Sequence, residues 1–283
     1  MFKRLIILLV LLVATFVSAQ LFDSIGGTLK DANLGSTLEN GVAPTNPSTP
    51  AADLSFTPNG QRLINAEFDK LAGTLPDATP EQIDQFKQII DQLLTAVDAE
   101  VQNLGENPHD LGTAVAAFFE FAYWSFHNLD PAKEIPDNQS LAAVKQFRAL
   151  LSSNPDVVGM NNDQRQLFYE AAVGLPALFV AFQQYASDQG ETATAEQWRT
   201  QLMALFKETS GLDISQVTYT DQGIVVAGAG QTTGTQTTTQ QTTTQQTTTP
   251  QTTTTPAVDP MVQNQIDNMT PQQIQEMLPM CQD

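Results

Sequence analysis

Glu120, Trp124 and His127 recur at intervals of four and three within NPHDLGTAVAAFFEFAYWSFHN, residues 107–128. On a helix that spacing places them on one face, with Tyr123 beside them. A carboxyl among aromatic rings has its charged form disfavoured and can serve as a general acid. Glu120 and His127 are therefore the candidate catalytic residues of the sequence. The plainer account puts Glu120 at a rim and His127 at a helix C-terminus, where a cation is favoured.

Other reactive residue types are sparse. The chain has two histidines in all, which leaves little for acid–base or metal chemistry. His109 and Asp110 are adjacent at a helix start, which is capping chemistry and not metal-ligand spacing. The sequence contains no phosphate-binding glycine loop, nucleophile elbow, CxxC, HExxH or calcium loop. Met261, Met269, Met277 and Met280 lie near Cys281; soft-metal binding is one reading, and adaptable hydrophobic contact is the more economical one. No cofactor is implied. Cys281 is the single cysteine, so no internal disulfide can form, and a thiol near a chain end can pair with a second copy to give a homodimer.

The elements that would position these residues are helices. Residues 118–126 hold six aromatics in nine positions, more apolar surface than any other stretch can bury. A segment apolar nearly all round is a core helix or a membrane span. This one is too short to span and contains Glu120, so the sequence predicts the central helix of a bundle, capped near Asn107 with Asp110 in its first turn. Before it, Gly60 to Ala72 reads as a first helix. Thr79-Pro80-Glu81-Gln82 is a capping box with proline at the first position. Ile83, Phe86, Ile90, Leu93, Val97, Val101 and Leu104 follow at helical spacing up to Gly105. Asp84, Asp91, Asp98 and Glu100 form the other face, expected to be solvated.

After the aromatic helix, one helix starts at Asp137 or Asn138 with Leu141, Val144, Phe147 and Leu151 inward. A longer one, capped by Asn161 to Gln164, turns in Phe168, Ala172, Leu175, Phe179 and Phe182, with a kink expected near Pro176. A last helix, from about Thr194 to Thr209, buries Trp198, Leu202, Leu205 and Phe206. Val217 to Val226 alternates briefly and is expected as an extended strap on the bundle surface. Asn138-Gln139-Ser140 matches an N-glycosylation acceptor, a short pattern that decides nothing alone.

The flanks are different material. Lys3 and Arg4, the apolar run Leu5 to Val13 and Val17-Ser18-Ala19 form a secretory signal-peptide pattern with cleavage near Gln20. The sequence thus predicts export, to a periplasmic, cell-surface or secreted location, with no transmembrane segment in the mature chain. Ala43 to Thr57 is rich in Pro, Ser and Thr and reads as a spacer. Of the 25 residues 231–255, 16 are Thr and 7 are Gln, with no charge, so this stretch cannot offset its own conformational entropy and reads as a flexible linker. Behind it, Thr270-Pro271-Gln272-Gln273 is another capping box, followed by Ile274, Met277 and Leu278. Too small to fold alone, this segment either docks on the bundle or meets a partner through those three residues.

The formal charge of −19 disfavours nucleic acid and anionic lipid, both of which need Lys and Arg at the contact. Basic proteins, cations and neutral surfaces remain as partners, and acidity by itself also keeps an exported protein soluble.

DLGTAVAAFFEFAYW, NNDQRQLFYEAAV, DQGETATAEQWRTQLMALF and GLDISQVTYTDQG, between Asp110 and Val226, resemble a bacterial family of exported helical proteins known as a domain of unknown function. The resemblance implies a helical fold and export, and carries no activity or site residue.

The expected architecture is all-α: a single bundle of about six helices over residues 55–226. It is preceded by a signal peptide (1–19) and a flexible segment (20–54), and followed by a Thr/Gln-rich linker (227–256) and an amphipathic C-terminal segment (257–283). The function this supports is a non-catalytic binding or envelope-associated module presenting its C-terminal segment to a protein partner. The alternatives are a small-ligand carrier with a pocket between the aromatic and Pro176 helices, or an exported hydrolase or lyase around Glu120, Tyr123 and His127.

Overall fold

The structure, a computed structural model, describes residue 38, residues 52–72 and residues 79–227. The fold is all-α with one small hairpin. Seven α-helices occur among the described residues: α1 (Ile64–Ala72), α2 (Pro80–Asn103), α3 (Leu111–Phe126), α4 (Asp137–Ser152), a single turn α5 (Pro155–Val158), α6 (Asn162–Asp188) and α7 (Thr192–Ser210).

Helix ends follow the local chemistry. Thr79 and Gln82 close the predicted capping box on α2, with the Gln82 amide on Thr79 Oγ1 at 3.3 Å and the Thr79 amide on Gln82 Oε1 at 2.9 Å. Asn161 and Gln164 do the same for α6. The cap of α3 is Asp110 rather than Asn107: its Oδ1 accepts from the Thr113 amide at 3.2 Å, while Asn107 closes a local turn onto the His109 amide. Helix α6 runs unbroken through Pro176, which lies wholly inside the core.

Helix α3 is the centre. It packs against α4, α6 and α7, while α2 packs on α6 and α1 on α2. Phe118 and Phe119 meet Phe206 of α7 at 5.5 and 4.8 Å, and Phe119 meets Phe147 of α4 at 4.7 Å. A second aromatic row, Phe68, Phe86, Phe182 and Trp198, joins α1, α2, α6 and α7. The close crossing of α3 on α4 is set by Gly112, where a Cβ would stand 2.9 Å from the Arg148 backbone. The inward row of α2 uses Leu94, fully buried, where the periodicity had placed Leu93.

The predicted strap is an antiparallel hairpin, β1 (Val217–Thr220) and β2 (Gly223–Val226), with Tyr219 opposite Ile224. It lies on α4. Gln146 donates from Nε2 to the Ile224 carbonyl at 3.0 Å and accepts the Ile224 amide on Oε1 at 2.6 Å. One side-chain amide thus completes the β2 edge as a third strand would. Asp221 at the tip accepts from Asn138 Nδ2 at 2.8 Å.

Part of the Ala43–Thr57 stretch is docked, not loose. Leu54 and Phe56 are buried, and Leu38 also reaches the core. Arg165 holds the Asp53 and Ser55 carbonyls at 2.9 Å each, and Asn162 accepts the Thr57 amide at 2.8 Å. Helix α6 is long and apolar enough to cross a membrane, with mean hydropathy 1.2, yet 83% of that window is buried inside the domain, as a core helix requires.

Candidate functional site: the half-open stripe of helix α3

Most of α3 is buried, but Ala117, Glu120, Tyr123, Trp124 and Phe126, with His127 at its C-terminal end, keep partial exposure. The stripe runs beside α4 and the hairpin. Tyr123 meets Tyr219 of β1 edge-on at 5.1 Å, and the His127 ring sits between Tyr123 at 4.5 Å and Phe126 at 5.0 Å.

The stripe ends in a strained turn. Asn128 (φ 57°) and Leu129 (φ 58°) are consecutive non-glycine residues in the left-handed region. The Asn128 amide bonds to the Ser125 carbonyl and the Leu129 amide to the Trp124 carbonyl, each at 3.0 Å. These are the two bonds of a Schellman stop. Helices α2 and α6 end with the same bond pair, and there Gly105 and Gly190 take the left-handed position. At α3 the strain is of order 1 kcal/mol per residue, offset by burial of the Leu129 side chain. Such strain beside His127 marks this end of the domain.

Glu120 is the chemically distinctive group. The residue keeps partial solvent exposure. Burial pushes the pKa up to about 7; the Ser140 hydroxyl pulls it down and the Asp137 carboxylate pushes it up. Glu120 makes no ion pair among the described residues. Nearby, Tyr219 is buried and its hydroxyl has no hydrogen-bond partner among the described residues. Burial, and then the charges of Glu120 and Tyr123, push the Tyr219 hydroxyl well above its ordinary value. The His127 pKa is lowered, first by burial and then by Lys133, with Asp130 opposing.

Glu120 and His127 share the stripe but not a reaction centre. Seven residues on a helix separate them by about 10 Å along its axis. The Glu120 pKa responds to Ser140 and Asp137 of α4, whereas the His127 ring packs against Tyr123 and Phe126.

Sequence reading missed a second polar cluster, at the α1–α2–α6 junction. The Tyr169 hydroxyl donates to Asp98, which also lies 3.8 Å from Arg62 and 3.8 Å from His109 Nε2. Asp98 was expected in solvent; it is largely covered because Arg62 and Tyr169 converge on it. Phe56 packs on both His109 and Tyr169. Glu170, fully buried, accepts from the Ile64 amide at 2.9 Å and Gln166 Nε2 at 2.8 Å. These groups satisfy one another and clasp the segment before α1 onto α6. The legible signal was Glu170 itself, a carboxylate inside an otherwise apolar helical run.

Among the described residues no group of three or more His, Cys, Asp or Glu is placed to hold a metal. Cys281, Ile274, Met277 and Leu278, proposed for dimerisation and partner contact, lie outside the described residues.

A family profile described as "Family of unknown function (DUF6683)" matches residues 19–227. The match starts well before Asp110, so the clasped N-terminal segment and α2 belong to the family pattern as much as the aromatic helix does. Searches of curated proteins and of solved structures return no match.

Proposed function

We propose, for a chain that belongs to the DUF6683 family of unknown function, that it is an exported, non-catalytic helical binding module. Its rigid domain would offer the half-open stripe of α3 as one contact face. The segment 257–283, with Ile274, Met277 and Leu278, would be a second contact on the Thr/Gln-rich tether. Export rests on the signal-peptide pattern of residues 1–19.

The observation that carries this reading is the stripe. A helix that buries its other faces in the core leaves Glu120, Tyr123, Trp124 and His127 partly open and ends there in a strained turn. Half-exposed aromatics beside a polar handle are the residue types that anchor contacts. Separation of Glu120 from His127 favours binding over acid–base catalysis.

A photo-crosslinking residue at Trp124 tests the face in the producing cells. A discrete adduct at position 124, absent when the crosslinker is at exposed Gln189, supports it; equal, diffuse labelling at both sites removes it. Truncation after Ala229 tests the tether separately: loss of tail-dependent capture with unchanged melting is the expected result. Substrate screening of wild type against Glu120→Gln addresses the enzyme alternative, and the binding reading expects no difference. A mature N-terminus at Gln20, read by mass spectrometry, is the expected sign of export.

A further inference from the structure

We infer that Asn59-Gly60 is a site of self-modification: the pair closes to a cyclic imide and opens to isoaspartate, and this loosens the clasped segment before α1 from α6. The site is separate from the α3 stripe and stands or falls without it.

Among the described residues, three asparagines close the same local turn, in which the side-chain oxygen accepts the amide two positions on. Asn59 accepts from Gln61 at 3.0 Å, Asn107 from His109 at 3.0 Å and Asn154 from Asp156 at 2.9 Å. Such a turn curls the side-chain amide over the nitrogen of the next residue. At Asn107 and Asn154 that residue is Pro108 or Pro155, which has no N–H to lose. At Asn59 it is Gly60. Among the described residues the Gly60 N–H donates no hydrogen bond, so no bond has to break before it reacts. Gly60 lies at φ 83° with nothing within 4 Å of where a Cβ would stand, and both residues are exposed to water.

The Gly60 nitrogen gives its proton to hydroxide and attacks Asn59 Cγ. A bond from Gly60 N to Cγ forms, the Cγ–Nδ2 bond breaks, and Nδ2 leaves as ammonia after taking a proton from water. The Gln61 N–H sits on Oδ1, the oxygen that gathers negative charge as Cγ is attacked. Water then opens the imide. Opening at the main-chain carbonyl of residue 59 leaves the chain running through Cγ, which is isoaspartate; opening at Cγ leaves aspartate. One water is consumed and one ammonia released, with nothing oxidised or reduced.

Isoaspartate matters here because one side chain spans this stretch of backbone. Gln166, 2% exposed, accepts the Asn59 amide on Oε1 at 3.0 Å and donates from Nε2 to the Gln61 carbonyl at 2.6 Å. An extra methylene between those two backbone groups prevents one planar amide from holding both. The neighbouring bonds belong to the same clasp. Asn162 holds the Thr57 amide and carbonyl at 2.8 Å each, and Glu170, bonded to Gln166 Nε2, holds the Ile64 amide. Aspartate at position 59 adds the same charge without the extra methylene.

The test is peptide mapping by mass spectrometry of the full-length protein, held folded in mildly alkaline buffer, with a synthetic peptide of residues 54–63 as the clock. Residue 59 should convert, with isoaspartate as the main product, at a rate within about tenfold of the peptide's, while Asn107 and Asn154 stay intact. Slower conversion overturns the proposal, as does conversion of Asn107 or Asn154 as fast as Asn59. Asn59→Ser keeps an oxygen for the Gln61 amide and has no amide to lose, so its peptide should gain no mass. A gain there places the chemistry at Gln61 and overturns the assignment.

Loosening is read separately, by hydrogen exchange on the isoaspartate fraction with Asn59→Asp as the control for charge. The Phe56 amide donates to the His109 carbonyl at 3.0 Å. It should exchange severalfold faster in the isoaspartate protein than in Asn59→Asp, with amides of the Phe118–Phe206 core unchanged. Equal exchange at Phe56 in the two proteins overturns the release.

Discussion

Glu170 accepts the Ile64 amide at 2.9 Å from a position with no solvent exposure, so a carboxylate in the middle of α6 caps the N-terminus of α1. The favourable end of the α1 dipole and the free amides of its first turn receive their anion from another helix. Its partners, the Ile64 amide and Gln166 Nε2, are both donors. Glu170→Ala should cost about 3 kcal/mol in urea unfolding, because those donors are left buried and unpaired. Glu170→Gln replaces one acceptor by a donor and should cost about 1–2 kcal/mol. Hydrogen exchange should show the loss first at the Ile64 amide.

Gly112 has a packing reason to lack a side chain. Gly112→Ala would bring a Cβ to 2.9 Å from Arg148 Cα and N, backbone atoms that cannot swing aside. Separation of α3 from α4 should cost about 1–3 kcal/mol. Arg148 bonds to Asp110, the cap of α3, so the start of that helix should fray in the same variant, seen as faster exchange at the Thr113 amide.

Glu120 makes stability depend on pH in a defined window. Its folded pKa, about 7, is above the ordinary value of 4.5, so between them the folded state holds a proton that the unfolded chain has lost. Stability from this group is full below about 4.5, declines as pH rises, and levels off above about 7; the whole change is at most roughly 3 kcal/mol. Glu120→Gln should flatten melting temperature across that window and be the more stable protein above it. Asp53 and Asp213 are lowered by hydrogen bonds to Ser55 and Ser215, so their contribution is lost only as pH falls into the acid range.

Gln146 should control the hairpin. Gln146→Ala leaves the Ile224 amide and carbonyl without the side chain that completes their edge. Exchange at the Ile224 amide should rise by tenfold or more, equivalent to about 1.4 kcal/mol for one lost clamp. The α3–α7 core should melt unchanged, because Phe119, Phe147 and Phe206 are untouched. An equal loss at core amides would show that the hairpin and bundle unfold as one unit.

What the sequence determined by itself was everything that depends on neighbours along the chain. The capping boxes at Thr79 and Asn161, the stop at Gly105, and the buried faces of α6 and α7 follow from spacing and local hydrogen bonding, and all are present. The aromatic helix was readable as the centre because no other stretch could bury so much surface. Even the open stripe was visible as a pattern, in the intervals joining Glu120, Trp124 and His127.

Tertiary structure decided what depends on residues far apart in the chain. Asp98 is paired because Arg62, 36 positions away, arrives from the segment before α1. Tyr219 reaches Tyr123 only because the hairpin folds back onto α4. Whether Glu120 had a cation was likewise a question about α4 and β1, not about α3. Spacing fixes which face a side chain takes; only packing fixes what that face meets, and the charge state of Glu120 follows from what it meets.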